Sequence, residues 1–130
     1  MEQYFEWDEA KNRKNQKKHD VSFETASLVF DDPLRISIQD RHTDGEERWQ
    51  TIGKVKGVLM LLVAHTIFDE DDCEIIRIIS ARQVTKAERD RYEQFIYHVI
   101  IRFETALKVL SFIYFYRAQP QLRASIALYG

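Results

Sequence analysis

The chain has 130 residues, 31% of them charged and 45% hydrophobic, and its 19 Lys/Arg against 21 Asp/Glu give a formal net charge of −2. This excludes a low-complexity chain and leaves room for one domain with a real core. The single cysteine, Cys73, excludes an internal disulfide framework and fits a reducing compartment. No basic-then-apolar leader precedes the first acidic residues, so a cytoplasmic protein is expected.

The charge is unevenly placed. Residues 1–94 hold 15 Lys/Arg against 20 Asp/Glu, and residues 95–130 hold 4 against 1. Within the acidic part, Lys11, Arg13, Lys14, Lys17 and Lys18 crowd into one run. Local field decides what an anionic polymer meets first, so this balance suits RNA as well as an acidic protein partner.

Phe5-Glu6-Trp7-Asp8 reads as a short strand ending at a helix start. Asp8 caps that helix, Glu9 complements the positive end of its dipole, and Lys17, Lys18 and His19 complement the negative end. The turns between are polar nearly all round, which suits either a solvated face or a surface for RNA or a partner through Lys11, Arg13 and Lys14. Ser22 caps a second helix whose Phe23, Ala26 and Phe30 should face the core. Asp31-Asp32-Pro33 ends it, because proline disfavours helical geometry in the residue before it.

Four extended runs follow: Leu34–Arg41, Glu47–Val55, Val58–Phe68 and Glu74–Val84. Their links, Asp44-Gly45, Lys56-Gly57 and Asp69–Asp72, are short, which favours an antiparallel meander over crossover units. Thr85 then opens a helix, and Glu88 three residues later completes a capping box. The expected class is α+β, with two N-terminal helices, an antiparallel sheet of about four strands and a closing C-terminal helix.

Residues 95–130 form an apolar helical extension to a domain spanning residues 1–94. Phe95–Tyr116 is strongly apolar, yet His98, Arg102, Glu104 and Lys108 argue against a membrane span. His98, Arg102 and Thr105 share one helical face, so the preceding helix can continue. Its other faces should bury against the sheet, a second copy in an oligomer, or a partner. Pro120 and the small polar residues after it suggest a loose end.

Several segments together resemble the BrnT family of bacterial toxins: Phe5-Glu-Trp-Asp-Glu-Ala-Lys-Asn, Val21-Ser-Phe-Glu-Thr-Ala, Val29-Phe-Asp-Asp-Pro, Gly45-Glu-Glu-Arg-Trp and Arg77-Ile-Ile-Ser-Ala-Arg. Lys86-x-Glu88-x-x-x-Tyr92 follows, and the resemblance covers residues 4–94. It implies a small RelE-like toxin acting as a ribonuclease that blocks translation, bound by a cognate BrnA antitoxin. The extension has no counterpart in it.

RNA can be cut without a metal when the 2′-hydroxyl attacks the adjacent phosphate, which requires a base, an acid and charge stabilisation. Arg48, Arg77 and Arg82 could clamp the phosphate, since a planar guanidinium makes two parallel hydrogen bonds to it. Glu47 or His42 could be the base, and His42, Lys86 or Tyr92 the acid. Trp49 could stack an unpaired base. Membership of the recurring motifs raises Arg48, Arg77, Ser80 and Arg82 above the rest.

Each has a duller reading. The arginines can pair with neighbouring carboxylates, Trp49 and His65 can be core residues, His42 can be solvated, and Tyr92 can pack at a helix end. Arg77 and Arg82 have opposite parity, so a regular strand sends them to opposite faces unless a bulge near Ser80-Ala81 re-aims one. Asp69–Asp72 lacks the glycine and spacing of a calcium loop, and the scattered histidines make no zinc set, so no metal and no cofactor are expected. The non-enzyme rival is an RNA- or protein-binding module on the same fold.

Overall fold

The computed structural model describes residues 2–43 and 46–118, without the side chains of 41–43 and 46. The Asp44-Gly45 turn and Pro120 lie outside the described residues. The chain divides into two compact units, Met1–Asp90 and Arg91–Gly130.

The first unit begins with β1 (Glu2–Glu6) and α1 (Glu9–His19). Asp8 accepts from the Lys11 amide at 3.1 Å, and Asp20 ends the helix in the left-handed region, its amide bonded to the Gln16 carbonyl. Next come α2 (Phe23–Ser27), capped by Ser22, and a 3-10 turn over Leu28–Asp31. Strands β2 (Ile36–Thr43), β3 (Glu46–Val55), β4 (Leu59–Glu70) and β5 (Cys73–Gln83) form an antiparallel meander. Lys56-Gly57 and Asp71-Asp72 turn the last two hairpins with positive φ at both positions, the handedness that matches strand twist.

The sheet has five strands, not four, and it is mixed. Its order is β1-β5-β4-β3-β2, and β1 runs parallel to β5 with Glu6 opposite Arg77. Short links explain the meander but say nothing of a strand whose partner lies about 70 residues away, so the wholly antiparallel expectation missed it.

One face of the sheet packs on the helices. Phe23, Ala26, Val29 and Phe30 meet Val55, Leu61, Val63, Ile76, Ile78 and Ala81 in the core, and Phe5 meets Phe30 at a tilt, with ring centres 5.3 Å apart. Gly53 lets the 3-10 turn approach closely, for a Cβ there would stand 2.9 Å from Val29 Cγ1. The polar α1 is not simply a solvated face. Asn15 Nδ2 donates to the Val21 and Ala81 carbonyls at 2.8 Å, and Asn15 Oδ1 accepts from the Ala81 amide at 3.2 Å. Asn12 accepts from the Phe23 amide and donates to Glu24. Both asparagines are buried, so this helix docks by side-chain hydrogen bonds to backbone in place of an apolar stripe.

α3 (Lys86–Arg117) is one continuous helix, in which the expected C-terminal helix and extension merge. Along its Arg91–Arg117 part Phe103, Leu110 and Tyr114 stay exposed in the single chain, and Phe112 stacks on Tyr116. No helix among the described residues is long and apolar enough to cross a membrane.

Candidate functional site

Strand alternation and register place the charged side chains. In β5, Ile76, Ile78 and Ala81 face the core, which breaks simple alternation. The partners of β5 along β4 jump from Ser80 (opposite Ala64) to Ile78 (opposite His65), so Ile79 is a bulge. It stands one residue before the position expected from sequence. Its effect is to put Arg77, Ser80 and Arg82 on the same face, opposite α1 and α2.

Thr66 on β4 pairs with Arg77 on one side and Arg48 on the other. The row continues to Glu6 on β1 and, by backbone position, to Arg41 on β2. Three arginine positions thus share one line across the sheet, with Arg48 and Arg77 two strands, or about 10 Å, apart. Arg41 was not singled out from sequence, because only the hairpin register, shifted at Asp40, reveals its place.

The three clamp candidates differ in what they already hold. Arg48 is half-buried, and its Nε is a buried donor with no hydrogen-bond partner among the described residues. Arg77 is 57% exposed at the side chain, and its Nε lies 3.3 Å from Glu6 Oε1. Arg82 makes a two-pronged bond to Glu88, at 2.7 Å and 3.0 Å. The same Glu88 accepts from the Thr85 amide and donates its own amide to Thr85 Oγ1, closing the capping box of α3. Hydrogen bonds from Arg82 hold the Glu88 carboxyl down at about 2, and Glu88 in turn raises Arg82. Arg82 pairs with Leu62, four residues along β4 from Thr66, so it stands about 13 Å from the row. It is fastened to the start of α3.

The remaining candidates fall elsewhere. Glu47 follows strand alternation onto the face opposite Arg48, and His42, whose side chain is outside the described residues, is its cross-strand partner in β2. Trp49 pairs with His65 and shares the helix-covered face, so it cannot stack a base held over Arg48. Lys11, Arg13 and Lys14 are exposed on α1, which also packs on that covered face. Lys86 is exposed in the first turn of α3, and Tyr92 is buried. Ser80 is exposed one row from Arg77, opposite Ala64.

His65 is a core residue. It is fully buried, meets Phe30 edge-on at 4.9 Å, and bonds through Nε2 to Thr51 Oγ1 at 2.7 Å; Thr51 in turn meets Ser37 at 2.8 Å. Loss of hydration pushes its pKa down to about 4, against a smaller opposing effect of the Thr66 backbone. No group of three or more His, Cys, Asp or Glu that could hold a metal occurs among the described residues.

The class defined by this geometry is a small α+β domain, a sheet packed on α1 and α2 on one side and carrying a transverse line of cations on the other. Residues 7–88, more than half of the chain, match the family described as "Ribonuclease toxin, BrnT, of type II toxin-antitoxin system". The chain therefore belongs to the BrnT toxin family. The crystal structure of the Brucella abortus ribonuclease toxin, BrnT, matches with a TM-score of 0.50 and 19% identity, over 66% of this chain and 100% of that one. At that identity the likeness speaks for the fold. No curated protein matches the chain.

Proposed function

We propose that this chain is a metal-independent endoribonuclease that cleaves RNA in the cytoplasm, inhibits translation, and is neutralised by a BrnA-type antitoxin. One observation carries the reading. Arg48 and Arg77 flank the buried Thr66 on the face away from α1 and α2, and the buried Arg48 Nε, without a hydrogen-bond partner among the described residues, lacks an acceptor that a phosphate oxygen would supply. Arg48 and Arg77 neutralise the charge that builds on the phosphate as the 2′-hydroxyl attacks, and the exposed Ser80 hydroxyl orients it. Arg82 acts at one remove, by fixing the end of β5.

The antitoxin has two surfaces to cover, the arginine face and the outer edge of β2, where Ser37–Asp40 are exposed. The exposed apolar side chains of residues 95–116 support self-association of the chain.

A second reading, an RNA- or protein-binding module without cleavage, draws on the acids that already engage Arg77 and Arg82. Incubating the purified chain with RNA in a chelator separates the two. The wild type should cut, and an Arg48→Ala, Arg77→Ala variant should cut at least on the order of 10²-fold more slowly. Equal cutting by both defeats the enzyme reading, and no cutting by either favours the binding module.

A further inference from the structure

A 2′-hydroxyl held over the arginine row needs a proton acceptor on the same face. Glu47 alternates away from Arg48, and Glu88 is committed to Arg82 and to the α3 cap. Asp40 accepts from Gln50 at 3.2 Å near the far edge of the sheet, three strands from Arg77. Glu6 differs from all of these. It occupies the row itself, opposite Arg77, with Oε1 3.3 Å from Arg77 Nε and its side chain 44% exposed. It also lies on β1, the edge strand of the sheet among the described residues, and just outside the matched family segment, residues 7–88.

We propose that Glu6 is the general base of the RNA cleavage, an inference that rests on the ribonuclease reading above. Arg77 grips a non-bridging phosphate oxygen, and its ion pair with Glu6 sets the carboxylate beside the ribose of the same nucleotide. A Glu6 carboxylate oxygen takes the 2′-hydroxyl proton, and the electron pair left on that oxygen forms the 2′-O–P bond. The P–O5′ bond breaks, and its electron pair leaves on the 5′ oxygen, which takes a proton from water. The hydroxide so formed takes the proton that Glu6 had accepted, which restores the carboxylate. The products are a 2′,3′-cyclic phosphate and a 5′-hydroxyl end, with no oxidant, metal or other reactant consumed.

The test compares the full chain with Glu6→Gln on a defined RNA in a chelator between pH 4 and 9. Glu6→Gln should lower kcat on the order of 10²–10³-fold and abolish the acidic limb of the pH–rate profile. Binding of an all-2′-deoxy strand of the same sequence should change less than about twofold, since an isostere leaves the phosphate contacts in place. A variant within about threefold of wild type, with an unchanged profile, overturns the role of Glu6 while the ribonuclease reading stands. Absence of cutting by the wild type overturns both. Should Glu6→Gln fail to fold, Glu6→Ala is read in its place: the same loss of kcat with deoxy-strand binding kept supports the role, and cutting within about threefold of wild type overturns it.

Discussion

The two faces of the sheet use polar side chains in opposite ways. On the helix-covered face polar side chains are engaged by the protein itself: the buried Asn12 and Asn15 bond to backbone, and Ser37, Thr51 and His65 form a hydrogen-bonded chain across three strands, although His65 Nδ1 has no hydrogen-bond partner among the described residues. On the other face Glu6 and Arg77 are exposed, and Arg48 Nε has no hydrogen-bond partner among the described residues. The first arrangement fixes one conformation, because a buried unpaired group is costly. The second leaves bonding capacity to be satisfied by something that arrives, which is what a binding or catalytic surface requires. Altering the first face should therefore cost stability, and altering the second should cost function.

The largest expected break in that contrast is Asn15→Ala. It orphans the Ala81 amide and two carbonyls and should lower unfolding free energy by about 4 kcal/mol in urea titration. Cutting of RNA per folded molecule should be unchanged within a few-fold. A loss near zero would mean that α1 is held by something other than Asn15.

Acid should find the same face next. An unfolded His65 takes up its proton below about pH 6.5, whereas the folded one resists until about 4. Over that window the unfolded chain binds more protons, so stability falls as pH drops, by about 3 kcal/mol in all. Unfolding free energies measured from pH 7 to 4, with His65→Gln as the comparison, read this directly; parallel curves would remove His65 as the cause.

The smallest effect sharpens the boundary between the faces. Arg82 lies on the arginine side yet is fastened to Glu88, and Arg82→Ala should cost about 1–2 kcal/mol of stability. That share is present above the ordinary carboxylate range and fades as pH falls toward 2, where Glu88 protonates. Cutting by this variant should change far less than with Arg48→Ala, Arg77→Ala; an equal loss would place Arg82 among the phosphate contacts after all.

Much of the fold was legible because local rules sufficed. Asp8, Ser22 and the Thr85/Glu88 pair cap helices as their types and spacing suggest, and Lys56-Gly57 turns a hairpin. The candidate site was legible only in part, because it depends on register. Nothing in the sequence around Ile79 marks a bulge, yet the bulge decides that Arg77 and Arg82 share a face. Glu6 and Arg41 gain meaning only from strands paired beside them. Asn12 and Asn15 look like surface residues in a polar run, and only the backbone groups they meet make them core.

β1 is the first strand to leave the ribosome, and its partner β5 is the last. A chain still being made therefore cannot line Glu6 up with Arg77 until residue 77 has emerged, and a product that ends before residue 77 never can. The parallel edge pairing thus joins the two ends of the first unit, so the juxtaposition of Glu6 with Arg77 forms only when synthesis of that unit is nearly finished.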